Sequence, residues 1–114
     1  RRHTVVWLGP CIGPQAFEVG AEVRDAFVSV DPEAAQAFVA CEHQPSKFWA
    51  HLPALARQRL AALGFEQVYG NNGEADWCTV GQSSSFFSHR RDAARLGSTG
   101  RMAAVIWRHS RGAA

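Results

Sequence analysis

Val5-Val6-Trp7-Leu8-Gly9-Pro10-Cys11-Ile12-Gly13-Pro14-Gln15-Ala16-Phe17-Glu18-Val19-Gly20 is the stretch whose reading decides the fold. It opens on four apolar residues rich in β-formers, too short for a helix and suited to a buried strand. Gly9-Pro10 ends that run, and Gly13-Pro14 follows two residues later. Pro fixes φ and Gly tolerates positive φ, so two such breaks close together specify one loop shape. From Phe17 to Val30 the spacing of Val23, Phe27 and Val30 predicts a helix. Strand, stiff loop and helix is the order in which many α/β proteins place ligand sites. A loop that merely turns the chain under a sheet has the same pattern.

Outward from that stretch, Asp31-Pro32-Glu33 predicts a helix start, with Asp as N-cap and Pro at the first helical position, running to about Cys41 and burying Ala35, Phe38 and Val39. Lys47 to Leu52 alternates and reads as a short strand with Phe48, Ala50 and Leu52 on one face. Pro53 starts a further helix with a stripe of Ala56, Leu60 and Leu63, and Gly64 stands where a left-handed cap is wanted. Phe65 to Tyr69 reads as a strand ended by the turn cluster Gly70-Asn71-Asn72-Gly73. Trp77 to Val80 reads as another short strand. Phe86 to Asp92 is ambiguous between strand and helix. Arg101 to Arg108 reads as the last strand, buried on both faces. Val5–Leu8 and Met102–Trp107 are expected in one sheet, with Val6, Leu8 and Ile106 in its core. The pattern is α/β or α+β: a mixed β-sheet covered by helices over residues 1–109, with 110–114 a frayed tail.

The 114 residues allow one domain or less, and 46% apolar content argues against disorder. The net charge of +2, nearly all of it from Arg with Lys47 the sole lysine, is too mild to argue for nucleic acid. No apolar run is long enough to span a bilayer as a helix, and no secretory h-region opens the chain. Cys11, Cys41 and Cys78 are an odd number at unrelated spacings, which fits reduced thiols in a cytoplasmic protein better than a disulfide framework or a zinc ribbon. The chain starts on Arg1-Arg2-His3 and enters a strand almost at once, as if cut from something longer.

Five histidines and three cysteines raise the question of a metal. Cys41-Glu42-His43 places two donors two residues apart, while His51, His89 and His109 stand on different elements, so surface imidazoles and buried thiols are the simpler reading. Ser83-Ser84-Ser85 leading into Phe86-Phe87-Ser88-His89-Arg90-Arg91-Asp92 brings hydroxyls and two guanidiniums together, as a phosphate or carboxylate requires. The plainer alternative is one Arg bonded to Asp92 and the other solvated. Cys78 beside Trp77 reads as a buried free thiol rather than a nucleophile. No catalytic residue is assigned, and no serine triad, P-loop or dinucleotide fingerprint is present.

Three segments together resemble one family. Trp7 to Phe27 (WLGPCIGPQAFEVGAEVRDAF), Trp77-Cys78-Thr79 with Phe86 to Asp92, and Thr99-Gly100-Arg101-Met102-Ala103-Ala104-Val105-Ile106-Trp107 are similar to segments of the laccase-domain proteins. This family is also called the multicopper polyphenol oxidase or peptidoglycan-editing-factor family. The similarity runs in order from Val5 to Trp107 and covers the C-terminal half of the family's usual chain. His89 stands where the family usually has Tyr, and residues around Leu96-Gly97-Ser98 form an insertion.

The resemblance implies the C-terminal part of the laccase-domain (cysteine-hydrolase-like) fold. It also implies a cytoplasmic enzyme that cleaves purine nucleosides with phosphate and deaminates adenosine. The implied cofactor is zinc, with copper as the alternative, and its ligands belong to N-terminal motifs absent here, so no metal ligand falls in this chain. Substrate contact is implied for Arg90, Arg91, Gly9 and Pro10, with one arginine facing the cleft beside the Gly9–Gly13 loop. The partners expected are a purine nucleoside and phosphate, with neither nucleic acid nor membrane. Peptidoglycan-precursor amidase and copper polyphenol oxidase are the alternative activities. A non-enzymatic interaction module, self-associating through an open sheet edge, is the reading for a chain naturally this short. The 114-residue chain alone is expected to be inert and to hold no stoichiometric metal.

Overall fold

The computed structural model describes residues 3–104. Val105 to Ala114 lie outside the described residues, and with them the expected core residue Ile106, half of the expected last strand and the expected tail. Within the described part, residues 101–104 carry no regular secondary structure.

The fold mixes helices and strands, and among the described residues the strands fall into two sheets. β1 (Val5–Leu8) pairs in parallel with β5 (Gln67–Gly70), Val6 opposite Val68 and Leu8 opposite Gly70. β2 (Glu18–Gly20) and β3 (Phe38–Cys41) flank β4 (Gln44–Ala50), both antiparallel to it. Val6 and Leu8 are half-buried, while Val5 and Trp7 on the other face of β1 are exposed, as is Tyr69 on β5.

The helix expected from Phe17 begins later. Ala16 and Phe17 both donate their N–H to the Gly13 carbonyl, closing the loop, and Glu18 to Gly20 are then taken into the ladder with β4. Val19 turns into the core, as period-2 geometry demands. α1 (Ala21–Val30) follows, with Val23 and Val28 against the core; Val30 stays largely exposed, and Phe27 is partly exposed with its ring tilted against Phe38.

Asp31 caps as the sequence indicates, accepting from the Glu33 N–H at 3.0 Å. The helix it opens is a 3-10 turn over Pro32–Ala37, shorter than the expected run to Cys41, because Phe38 to Cys41 pair with β4 instead. Ala34, Ala37 and Phe38 are buried and Val39 faces out. A register shift between Ala40 and Cys41 returns Cys41 to the interior. β4 is longer than expected at its start and ends at Ala50, so Leu52 belongs to α2 (Leu52–Ala62). His51 caps α2, its Nδ1 accepting from the Ala54 N–H, and Gly64 has φ +91. Leu55 is the buried leucine of α2, whereas Leu63 is exposed.

The main core joins Val19, Ala34, Ala37, Phe38, Ala50 and Leu55, between the three-stranded sheet and the helices. Burial of each larger side chain there contributes about 1.5–3 kcal/mol. The parallel pair is tied to α2 by Arg57, which donates to the carbonyls of Val68, Gly70 and Asn71 at 3.1, 3.3 and 3.1 Å. Trp77 to Val80 is not a strand: Ala75–Trp77 is a 3-10 turn, and Cys78 alone makes a parallel bridge, to Cys11. Phe86 to Asp92 resolves toward helix, with α3 spanning His89–Leu96.

Candidate functional site

The Gly9–Gly13 loop is fixed from both sides. Asn71, only 2% exposed, donates from Nδ2 to the Gly9 carbonyl at 2.9 Å and to Cys11 Sγ at 3.4 Å. Its backbone N–H donates to the Leu8 carbonyl at 2.8 Å, and its Oδ1 accepts from the Gly73 N–H at 2.9 Å. On the opposite side, Cys11 donates its N–H to the Trp77 carbonyl, and Thr79 returns one to the Cys11 carbonyl. Trp7 and Trp77 meet edge to face, 5.9 Å between centroids.

Gly13 is required here for close approach, not for positive φ. A Cβ at this position would lie 3.1 Å from Cys78 Cβ and 3.2 Å from its sulfur. Among the described residues the positive-φ glycines are Gly64, Gly70, Gly73 and Gly97.

Cys78 is buried, and its sulfur accepts from the backbone N–H groups of Gly13 at 3.2 Å and Gly81 at 3.4 Å. Burial alone pushes its thiol up. The N–H groups of Gly81, Gly13 and Val80, with the charge of Arg91, outweigh burial and bring its pKa below the ordinary thiol value. Cys11 goes the other way: burial raises it, against the Asn71 hydrogen bond, and the neighbouring Cys78 raises it further.

The two arginines play different parts. Arg91 turns inward: Nε and Nη2 grip Asp92 at 2.8 and 3.0 Å, Nη1 donates to the Thr79 and Val80 carbonyls, and Nη2 to the Phe86 carbonyl. Its pKa is raised, mainly by the Asp92 bond. The Asp92 carboxyl is held down at about 2, chiefly by Arg91, with help from the Ser88 N–H and the Thr99 hydroxyl. Ser88 caps α3, accepting from the Arg91 N–H at 3.2 Å, and Gly97 ends it at φ +79.

Arg90 is exposed. It donates from Nη1 to the Glu18 carbonyl at 2.9 Å, with its guanidinium 5.2 Å from the centre of the Phe17 ring. It borders a hollow of about 280 Å³ with Ile12, Phe17, Ser88 and His89.

The candidate residues therefore do not converge on one hollow. Gly9 borders a different one, about 250 Å³, with Trp7, Cys11, Pro53 and Asn71. Pro10 is half-buried beside it in the chain, and Ser83 to Ser85 lie in an exposed turn. A third and larger cleft, about 630 Å³, lies between Gly13–Ala16 and Asn72–Gln82, with Cys78 among its lining residues. Sequence reasoning missed Asn71 and Arg57. The first was hidden in a turn cluster whose composition explains itself, and the second has no local partner. The Ser88 cap was missed too, and its signal is a Ser directly before a polar run of helical composition.

Among the described residues no three His, Cys, Asp or Glu side chains come together as a metal site. His51 spends Nδ1 on its helix cap, and the Cys11–Cys78 neighbourhood offers thiols without a third donor of those types. The described residues do not fit a resident metal.

Residues 1–109 match the family model described as multi-copper polyphenol oxidoreductase laccase. The chain is 50% identical over 105 residues to the Escherichia coli protein named purine nucleoside phosphorylase YfiH, covering 92% of this chain and 39% of that protein. It is 47% identical over 103 residues to the Pseudomonas aeruginosa purine nucleoside phosphorylase PA4543, covering 90% of this chain and 39% of that one. The crystal structure of Neisseria meningitidis protein NMB0706 superposes with a TM-score of 0.68 at 49% identity, over 77% of this chain and 34% of that one. The chain thus spans well under half the length of these relatives.

Proposed function

Because this chain belongs to the multi-copper polyphenol oxidoreductase laccase family, we propose that it forms the C-terminal part of a metal-dependent purine nucleoside phosphorylase that also deaminates adenosine. The identity to the Escherichia coli phosphorylase carries this reading. The metal is zinc, with copper as the alternative, and its ligands belong to the part of the relatives' length that this chain does not span. The three free thiols support a cytoplasmic location.

In this reading the chain's own residues bind and orient. Arg90 contacts phosphate or the anionic end of the substrate, since the described residues use one of its several N–H donors and Phe17 holds the guanidinium plane. Arg91 locks α3 to the Cys78–Val80 turn and so sets where Arg90 stands. Gly9, on a hollow separate from Arg90's, and Pro10 beside it in the chain meet a different part of the substrate from the one Arg90 holds. The exposed face of the parallel pair, with Val5, Trp7 and Tyr69, supports docking against the remainder of such a protein, because parallel strands are ordinarily covered on both faces. Self-association through that sheet is the corresponding reading for a chain acting alone.

The test is phosphorolysis of inosine and adenosine by the complete protein and by this chain alone, with and without a chelator. Turnover in the complete protein and none in the chain is the expected result. Loss of the Arg90 contact, worth about 1.5–3 kcal/mol for a hydrogen bond to a charged group, raises KM for phosphate roughly ten- to a hundredfold. Turnover by the chain alone, or an Arg90→Ala enzyme matching the parent, refutes the assignment. Phenol oxidation or cleavage of cell-wall precursor amides without phosphorolysis would select the alternative activities.

A further inference from the structure

The Cys11–Cys78 neighbourhood is not used by the function proposed above. The two residues are register partners in an isolated parallel bridge. Bridged strands lie about 4.8 Å apart and register partners point to the same face, inside the Cα separation a disulfide requires. Cys41, the third thiol, is buried on β3 in the three-stranded sheet. We propose that Cys11 and Cys78 form a thiol–disulfide exchange site that takes a small disulfide of the glutathione class as oxidant, with Cys78 attacking and Cys11 resolving.

The roles follow from the surroundings of each sulfur. Cys78 lies on the wall of the 630 Å³ cleft, its sulfur held by the N–H groups of Gly13 and Gly81. Those donors favour the thiolate, which is the attacking species. Cys11 has a raised pKa and so stays protonated longer, its thiol donating to the Ile12 carbonyl at 3.4 Å. Gly13 makes the arrangement possible, since any Cβ there would press on the Cys78 sulfur.

In the first step the Cys78 thiolate attacks one sulfur of the small disulfide. The S–S bond of the oxidant breaks, a mixed disulfide forms on Cys78, and one small thiolate leaves. Cys78 then rotates about χ1 away from Gly13, and Cys11 loses its proton to solvent. The Cys11 sulfur attacks the Cys78 sulfur, and the second small thiolate leaves. Both leaving thiolates take protons from solvent. Two protein thiols are oxidised and one small disulfide is reduced to two thiols. The cross-link bolts the Gly9–Gly13 loop to the turn after Trp77 and removes the sulfur from the cleft wall. Transient disulfides of this sort are the form that redox sensing takes in reducing compartments.

The experiment equilibrates the purified protein in graded mixtures of reduced and oxidised glutathione, quenches with acid, alkylates and maps the peptides. A Cys11–Cys78 linked pair, lighter than its parts by two hydrogens, with Cys41 alkylated, is the expected result. Cys11→Ser should stop at a glutathione adduct on Cys78. Cys78→Ser should give no linked pair and should form the adduct at Cys11 about tenfold more slowly than Cys11→Ser forms it at Cys78. Should Cys78→Ser not fold, trapping in Cys11→Ser alone decides the order of attack. No linked pair at the most oxidising ratio, linkage through Cys41, or an adduct spread evenly over the thiols in Cys11→Ser overturns the proposal.

Discussion

Asn71→Ala tests the account of the loop most directly. The side chain is 2% exposed and makes two hydrogen bonds at 2.9 Å, to the Gly9 carbonyl and from the Gly73 N–H, besides the longer contact with Cys11. Each neutral bond contributes about 1 kcal/mol net. The larger effect is on the partners, because a buried group left unpaired costs about 1–3 kcal/mol. The Gly73 N–H and the Gly9 carbonyl both stand at half-buried positions, so each recovers part of its loss from water. A total loss of about 2–4 kcal/mol follows, a large share of the stability of a small domain. In urea, where m is about 1–3 kcal/mol/M, the midpoint should fall by roughly 1 M or more with m unchanged. Asn71→Asp keeps the acceptor for Gly73 but turns a carboxylate toward the Gly9 carbonyl, so at neutral pH it should be no more stable than Asn71→Ala. A midpoint within about 0.2 M of the parent for Asn71→Ala would mean the loop is held by something else.

Asp92 is depressed from 3.8 to about 2, chiefly by its bond from Arg91, so its stabilisation is present above the unfolded value and lost as pH falls through 2. Urea midpoints measured between pH 5 and 2 should therefore drop more steeply for the parent than for Asp92→Asn, and equal slopes would remove the pair from the acid response. Ser88→Ala deletes the α3 cap and should cost about 0.5–2 kcal/mol in the same assay, with Ser88→Asp recovering most of it. Gly70→Ala forces a left-handed residue, φ +93, and drives a methyl into the Leu8 carbonyl and the Trp7 indole; a loss below about 1 kcal/mol would contradict that packing.

Much of the architecture was legible locally. Val5–Leu8 reads as a strand from four β-formers and Gly9-Pro10, and Asp31-Pro32 reads as a cap from chemistry that acts within three residues. The α2 helix and its Gly64 stop were equally plain. The family too is written in the motifs around Gly9–Gly13, Cys78 and Arg90–Asp92. Other features depended on partners distant in the chain. Glu18–Gly20 and Phe38–Cys41 adjoin runs whose spacing or capping signals a helix, and become strands because β4 offers them a ladder. The pair Arg90-Arg91 looks like two equal donors, yet the fold spends one on Asp92 and three carbonyls and leaves the other over Phe17 at the surface. Nothing near Asn71 in the sequence distinguishes it from Asn72, and nothing near Cys11 announces Cys78. Capping, turns and period are settled by neighbours a few residues away, so sequence alone determines them. Asn71 reaches Gly9, Cys78 reaches Gly13 and Arg90 reaches Glu18 across about 60 or more residues of chain, and tertiary contact alone brings those groups together.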